Sequence, residues 1–434
     1  MKNRLFEIWF SLCVGAANTE FQSLLERFGS PYEVFNAEEA ELESLSLSPR
    51  LFRALSDKSL QESMRIEQYC KQNGIGILFW QDEQYPAALR DLRDPPVLLY
   101  YRGQLPNLNS RLAISVVGTR SMSEYGKRMA YKIGYELASA GVVVISGMAL
   151  GNDGVATAGA ISACGTPLAV LGGGVDVVYP RQHAILYEEI ARTGAVISEY
   201  PPGTPPIASH FPVRNRIISG LSQGTLVVEA DNNSGALITA KSAILQGRDI
   251  YALPGNVGET NSAGTNRLIS EGAGVVLRAR DILENYAFIY RDVLNMKRLA
   301  DAEKLSDPDD AQLARLGVCT RTVKPKGDVA RAPSAPLPEA KRATPTERKP
   351  KAPPQKKEES APTKTPDHVD NKPLLDSLTN TQRRVFEAIP IDGMVTVEHL
   401  TGEGFSMSEI MASVTILEIK GLIVTFPGGM MSRK

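Results

Sequence analysis

The segment LAISVVGTRSMSEYGKR, residues 112–128, shows the pattern that decides the fold. It opens with an apolar run rich in β-branched residues, which predicts a buried strand. The run ends at Gly118, and Ser123 stands where the N-cap of a following helix is expected, with Tyr125 and Gly126 inside that helix. The segment therefore predicts a strand, a turn and a helix in that order.

The same pattern recurs through the middle of the chain. Further apolar runs end in glycine or a small polar residue and alternate with stretches of helical character, which indicates parallel strands with crossover helices. We therefore predict an α/β domain with a doubly wound, mostly parallel sheet over residues 76–285. The runs are VVVISG (142–147), PLAVLGGG (167–174), AVISE (195–199), TLVVEA (225–230) and DIYALPG (249–255).

Three further segments flank this domain. Residues 1–75 have the pattern of short helices, interrupted where Gly29 and Pro31 predict a turn. Residues 286–372 are predicted to be a disordered linker, because residues 321–364 hold nine prolines and twelve Lys or Arg against five Asp or Glu. That charge could hold a polyanion nearby or serve only as a solubilising tether. Residues 373–434 predict three helices and a hairpin, which is the winged-helix pattern.

Composition narrows the functional class. The formal net charge of −1 gives no overall basic field, so any anion site must be local. The four cysteines lack CxxC spacing and only four histidines are present, which argues against a zinc site or a disulfide scaffold. A basic start followed by an apolar run resembles a signal peptide, but Glu7 interrupts the run and the apolar spacing favours an amphipathic helix. We expect a cytoplasmic protein without a membrane span.

Glycine and polar residues follow the predicted strands, at the edge where open parallel sheets bind ligands. The turn after the first of these strands and the helix start at Ser123 are expected to offer amide groups to an anion, which Arg120 could grip with two hydrogen bonds. The P-loop motif fails, since Ser121 and Arg128 stand where it needs Gly and Ser or Thr. No dinucleotide fingerprint or nucleophile elbow is present either. The pattern favours phosphate binding over catalysis, with no cofactor or metal.

A second candidate lies in HFPVRNRIISGLSQG, residues 210–224. Arg214 and Arg216 would not share a face of a regular helix, but at a loop or a helix start both could converge on one anion. Two alternatives stay open at this point. The arginines could be solvated surface charges, or either could pair with an internal carboxylate.

Seven motifs in order over Val116 to Ala273 resemble the bacterial DNA-processing protein family called DprA or Smf. They are VVGTRSMSEYGK, ISGMALGNDGVA, LGGGVDVVYP, SEYPPGTPP with HFPVRNRIISGLS, VVEA with SGALITA, ALPGN, and GTNRLISEGA. The resemblance implies an extended Rossmann fold that binds single-stranded DNA, forms a homodimer and helps to load the RecA recombinase in natural transformation. It implies no established catalytic activity.

The resemblance extends to both flanks. It implies a helical N-terminal domain of sterile-alpha-motif or helix-hairpin-helix character, and a C-terminal winged helix that contacts duplex DNA or a protein. In the central domain it implies that Arg120 and the RNR arginines meet DNA phosphates, with Phe211 as a stacking or wall surface. Lys241 is a further candidate, with a solvated surface position as the alternative. The full candidate set is Gly118, Thr119, Arg120, Ser123, Tyr125, Gly126, Ser146, Gly147, Gly172, Gly173, Gly174, Phe211, Arg214, Asn215, Arg216 and Lys241.

The sequence departs from the family pattern at three positions. Asn152 and Thr157 stand where the family usually has Ile and His, and His183 stands where Asn is common. Two other functions remain alternatives. One is a nucleotide phosphoribohydrolase on a related fold, in which Glu229 would matter, although the Gly-Gly pair of that signature is missing. The other is a protein-interaction scaffold with a vestigial pocket.

Overall fold

Seven parallel strands form the centre of the structure. The computed structural model describes residues 4–304 and 310–318, and in the C-terminal region residues 380–390, 395–396, 410, 413–414, 417, 422–426 and 430–433. Its main sheet has the order β1-β2-β6-β5-β4-β3-β7-β8-β9, in which β3 to β9 are parallel and β1 and β2 form an antiparallel edge. The predicted doubly wound, mostly parallel sheet is confirmed. The strands are β1 Gly76–Phe79, β2 Leu98–Gly103, β3 Ala113–Val117, β4 Val143–Ser146, β5 Thr166–Val170, β6 Ala195–Ser198, β7 Gly224–Val227, β8 Asp249–Ala252 and β9 Gly274–Val275.

Helices cover both faces of this sheet. Alternate residues of β3 point to opposite sides, so that Ile114 and Val116 join one core while Ala113 and Val117 join the other. Helices α8, α9 and α10 pack on the first core, and α11, α12 and α13 on the second. The helices from α7 to α14 are α7 Ala87–Arg90, α8 Glu124–Ser139, α9 Asn152–Ser162, α10 Ala184–Thr193, α11 His210–Gly220, α12 Gly235–Leu245, α13 Thr260–Ser270 and α14 Ala279–Leu283.

The N-terminal helices pack against the antiparallel edge of the sheet. They are α1 Arg4–Val14, α2 Phe21–Phe28, α3 Pro31–Asn36, α4 Glu39–Glu43, α5 Pro49–Ser56 and α6 Gln61–Gln72. Their apolar side chains share one core with Leu98 and Tyr100 of β2 and with Val175, which follows β5. Tyr69 of α6 also donates a hydrogen bond to Asp176 at 2.9 Å. The helices therefore lie directly against the loop that follows β5.

The structured region extends well beyond the predicted start of the linker at residue 286. Helices α15 (Met296–Ala302) and α16 (Asp310–Arg315) fold back on α8 and bury Leu299 and Leu313 in the first core. Lys127 of α8 also pairs with Asp310 at 3.1 Å. This corrects the predicted boundary, because residues before 319 contribute apolar contacts that composition alone did not reveal. The rest of the predicted linker lies outside the described residues.

The chain divides into two units, and the described residues from 380 onward belong to the second. Its described elements are helix α17 (Asn380–Ala388) and strands β10 (Val395–Thr396), β11 (Ile423–Phe426) and β12 (Met430–Arg433). The strands form an antiparallel sheet of order β10-β12-β11. The winged helix itself stays a prediction, since the other elements that it needs fall largely on residues that are not described.

Two negative findings hold for the part of the chain that the structure describes. None of its helices combines the length and the apolar character needed to cross a bilayer. It also contains no group of three or more His, Cys, Asp or Glu side chains that could hold a metal ion.

Replacing Leu313 with alanine tests the docking of α16. Because this side chain is fully buried, we expect the free energy of unfolding to fall by about 2–4 kcal/mol. The matched control is Leu245→Ala, at an exposed position of α12, with an expected change within about 0.5 kcal/mol. Chemical denaturation followed by tryptophan fluorescence measures both. Equal stability of the two variants would show that this segment does not belong to the domain.

Candidate nucleic-acid interface

A pocket lies at the carboxyl edge of β3, β4 and β5. It encloses about 470 Å³, part of which is open to solvent. Two arginines, two aromatic rings and several glycines line it, and among the described residues no acidic side chain does. This combination of positive charge, aromatic surface and accessible backbone suits an anionic ligand that also carries a flat apolar group. The lining residues are Arg120, Gly147, Ala149, Leu150, Leu171, Gly172, Gly173, Val177, Tyr179, Pro180, Pro206, Phe211 and Arg214.

Arg120 supplies the accessible charge of the pocket. It follows β3 by three residues and its side chain is exposed. Its guanidinium carbon lies 5.6 Å from the centre of the Phe211 ring. Within the described ranges it forms no ion pair, so its charge remains available to a ligand. Arg120 therefore lies where the sequence predicted it, in the turn after β3, and its contact with phosphate stays a prediction.

Arg214 is a buried cation at the back of the pocket. It belongs to α11, is 4% exposed, and donates hydrogen bonds to the carbonyl oxygens of Gly147 (3.1 Å) and Val170. Burial lowers the pKa of its guanidinium to about 10, against the opposing charge of Asp153, so it stays charged at neutral pH. Its guanidinium carbon lies 5.8 Å from the centre of the Phe211 ring. Arg214 therefore adds positive potential behind the ring.

The glycine loop after β5 brings backbone close to the aromatic wall. A methyl group on Gly172 would lie 3.1 Å from the Phe211 ring, which is tighter than most real contacts. The amide groups of Gly172 and Gly173 have no acceptor in the described part of the chain, and both residues line the pocket. Gly174 instead donates to the carbonyl of Thr204 and does not line it. Two of the three predicted glycines are thus at the site.

A buried carboxylate joins the loops that follow β3 and β4. Asp153, near the start of α9, accepts hydrogen bonds from the amides of Gly118 (3.2 Å) and Gly147 (3.1 Å). Desolvation raises the pKa of this carboxyl, and the charge of Arg214 acts in the opposite direction. Ser146 is fully buried and donates to the carbonyl of Val116. The amides of Gly118 and Gly147 and the hydroxyl of Ser146 therefore already have hydrogen-bond partners within the protein. This corrects the expectation that they bind phosphate.

The start of α8 already holds an anion of the chain itself. Ser123 caps the helix by accepting from the Gly126 amide (3.0 Å), as predicted, but its own amide donates to the carboxylate of Glu229 (3.0 Å) and its hydroxyl donates to the same group. A methyl group on Gly126 would overlap Glu229, and Tyr125 donates to the carbonyl of Pro254. The carboxylate of Glu229 therefore occupies the start of α8. This corrects the prediction that the helix start binds a phosphate.

The two RNR arginines do not converge. Both lie inside α11, which begins at His210, so a spacing of two places them on different faces. Arg216 contacts both carboxylate oxygens of Glu199 (2.8 and 2.7 Å) and pairs with Asp94 at 3.3 Å. The structure therefore supports the alternative of an internal ion pair for Arg216. It corrects the expectation that the two arginines converge on one anion.

Three further candidates are not among the residues that line the pocket. The oxygen of the Asn215 side chain accepts from Nε of Arg214 at 3.1 Å, and the Thr119 amide donates to the carbonyl of Glu229 at 2.8 Å. Lys241 is exposed on α12. Phosphate contacts by these three residues stay predictions.

Sequence reasoning missed Tyr179 and the role of Asp153. Tyr179 is 41% exposed and its ring centre lies 5.4 Å from that of Phe211, which makes a second aromatic wall. It stands in LGGGVDVVYP, where an aromatic residue beside a glycine run is the signal that could have identified it. Two of the positions that depart from the family pattern lie behind the pocket: Thr157 donates to the Asp153 carbonyl, and His183 is buried beside the carbonyl of Met148.

Comparison with known proteins shows to which family the chain belongs. The family described as DNA recombination-mediator protein A matches residues 76–287. The DNA processing protein DprA of Bacillus subtilis is 39% identical over 214 residues, which cover 49% of this chain and 72% of that protein. Protein Smf of Escherichia coli is 38% identical over 296 residues, 66% of this chain and 76% of that protein. The chain belongs to the DprA/Smf family.

A solved DprA structure supports the same assignment. The X-ray structure of DNA processing protein A from Streptococcus pneumoniae aligns with a TM-score of 0.57 and 32% identity, over 65% of this chain and 98% of that one. The family match begins at Gly76, the first residue of β1, and ends four residues after α14. It therefore contains the whole pocket and every predicted site residue.

Alanine variants separate the structural arginine from the accessible one. Arg216→Ala leaves Glu199 buried without its partner, so we expect a loss of about 3–5 kcal/mol in the free energy of unfolding. Arg120→Ala removes an exposed side chain and should change it by less than about 0.5 kcal/mol. Thermal denaturation measures both variants. An Arg216→Ala protein as stable as the wild type would contradict the assigned ion pair.

Proposed function

We propose that this chain binds single-stranded DNA in the pocket at the carboxyl edge of β3–β5. The observation that carries the proposal is the pairing of an accessible cation, Arg120, with an aromatic wall made of the half-buried Phe211 and the exposed Tyr179. Membership of the DprA/Smf family supports a role in DNA processing. A strand offers both groups that this pocket suits, a phosphate and an unstacked base.

The chemistry of the lining favours single strands over duplex DNA. A duplex keeps its bases stacked inside, whereas a single strand can present a base face to an aromatic ring. The charged side chains of the pocket are arginines, which grip phosphate oxygens and carry no sequence information at that contact. Binding should therefore tolerate many sequences.

We further propose that the bound strand is incoming DNA in natural transformation, which the protein protects and on which it helps to load the RecA recombinase. This part rests on the family alone. A homodimer and a contact of the C-terminal region with duplex DNA or with a protein belong to the same proposal.

The phosphoribohydrolase alternative gains no support from the site. It would need the carboxylate of Glu229 beside a ligand, yet this group caps α8 through Ser123 and does not line the pocket. An interaction scaffold would leave Arg120 without a ligand. A direct titration with single-stranded DNA distinguishes the scaffold from the proposed function.

Replacing Arg120 with alanine should weaken binding to a single-stranded oligonucleotide about ten- to a hundredfold. A charge-assisted phosphate contact is worth roughly 1.5–3 kcal/mol, and its loss should flatten the dependence of log Kd on log salt by about 0.7. Fluorescence anisotropy across a salt series measures both quantities.

The matched control is Arg192→Ala, which removes the same charge from an exposed position on α10 outside the pocket. Its affinity and salt slope should stay close to those of the wild type. Equal effects of the two substitutions would show that only net charge matters and would refute the pocket. A wild-type chain that does not bind single-stranded DNA would refute the function itself.

A further inference from the structure

Asn152 carries a buried side-chain amide that has no hydrogen-bond partner among the described residues. It is the first residue of α9 and is fully buried. Neither its side-chain oxygen nor its side-chain nitrogen finds a hydrogen-bond partner in the described ranges. Burying an amide in this way costs stability, and most buried polar groups avoid it. An apolar side chain of similar size would fill the same space without that cost.

The unpartnered amide lies against the loop that carries Arg120. A methyl group on Gly118 would lie 2.5 Å from the Asn152 side-chain nitrogen, so this side chain packs on the backbone there. The backbone amide of Asn152, unlike its side chain, does have a partner, since it donates to the Thr119 carbonyl at 3.2 Å. A methyl group on Gly151 would likewise meet the carbonyl oxygens of Thr119 (2.3 Å) and Arg120 (2.8 Å). The start of α9 is therefore the surface on which this loop rests.

Most amides of the loop are already used. The Gly118 amide donates to Asp153, the Thr119 amide to the Glu229 carbonyl, and the Ser121 amide to the Thr119 hydroxyl. The Arg120 amide has no acceptor among the residues that the structure describes. A donor and an acceptor in adjoining segments therefore both lack a hydrogen-bond partner among the described residues. They are the backbone amide of Arg120 and the side-chain oxygen of Asn152.

We propose that Asn152 is a positioning residue for Arg120. When a phosphate draws the Arg120 side chain into contact, the loop 118–121 settles so that the Asn152 side-chain oxygen accepts a hydrogen bond from the Arg120 amide. The unpartnered amide disfavours the free arrangement and the new bond favours the bound one, which is the differential interaction that a ligand-linked change requires. This inference rests on the proposed binding of single-stranded DNA at Arg120.

A double-mutant cycle tests the coupling. Binding of a fluorescein-labelled oligo-dT strand is measured for the full-length wild type, Asn152→Leu, Arg120→Ala and the double variant. We expect Asn152→Leu to melt no lower than the wild type yet to bind about tenfold more weakly, the lower end of the loss expected when the Arg120 contact itself is removed. In the Arg120→Ala background the same substitution should have no further effect.

The control is Thr157→Val, which removes another buried polar group from α9 without touching the loop, and it should bind DNA like the wild type. If Asn152→Leu does not fold, Asn152→Ala enters the cycle with the same expectation. Wild-type affinity in the Asn152 variant, or the same loss in both backgrounds, overturns the positioning role while leaving the proposed function intact. A wild type that does not bind the strand overturns both.

Discussion

The hydrogen bonds of the Asp153 carboxylate fix the loops from which the pocket is built. They hold the amides after β3 and β4 together, while Arg214 reaches in from α11 and binds carbonyls after β4 and at the end of β5. Parallel strands leave such polar groups at one edge, where they need internal partners if water is excluded. The buried carboxylate of Asp153 and the buried guanidinium of Arg214 supply those partners.

Buried charges elsewhere in the domain follow the same rule. Glu199 forms an ion pair with Arg216, and the carboxylate of Glu229 accepts a hydrogen bond from the Ser123 amide at the start of α8. Neither Arg216 nor Glu229 is therefore free to meet a ligand. Arg120 differs, since it lies at the surface and has no carboxylate partner in the described part of the chain. Because the other groups are paired internally and no acidic side chain of the described residues lines the pocket, we propose Arg120 for the contact with phosphate.

Local patterns predicted the parallel sheet, the N-cap at Ser123 and the position of Arg120 after a strand, because strand runs and helix caps depend on neighbouring residues. The family resemblance, and not a local pattern, implied the role of Phe211. The two carboxylate partners of Arg216 could not be predicted, since Glu199 and Asp94 belong to other segments of the chain and no periodicity links them to α11. The helices after residue 286 were missed for a related reason. They are short and polar, and only their packing on α8 shows that they belong to the domain.

We propose that DNA enters the pocket between Arg120 and the aromatic wall. Photocrosslinking with a single strand that carries 5-iodouracil, followed by mass spectrometry of the peptides, tests this proposal. We expect the main adducts to form on Tyr179 or Phe211, and we expect Arg120→Ala to reduce them. Adducts confined to other surfaces, with none on the peptides that contain these two rings, would contradict it.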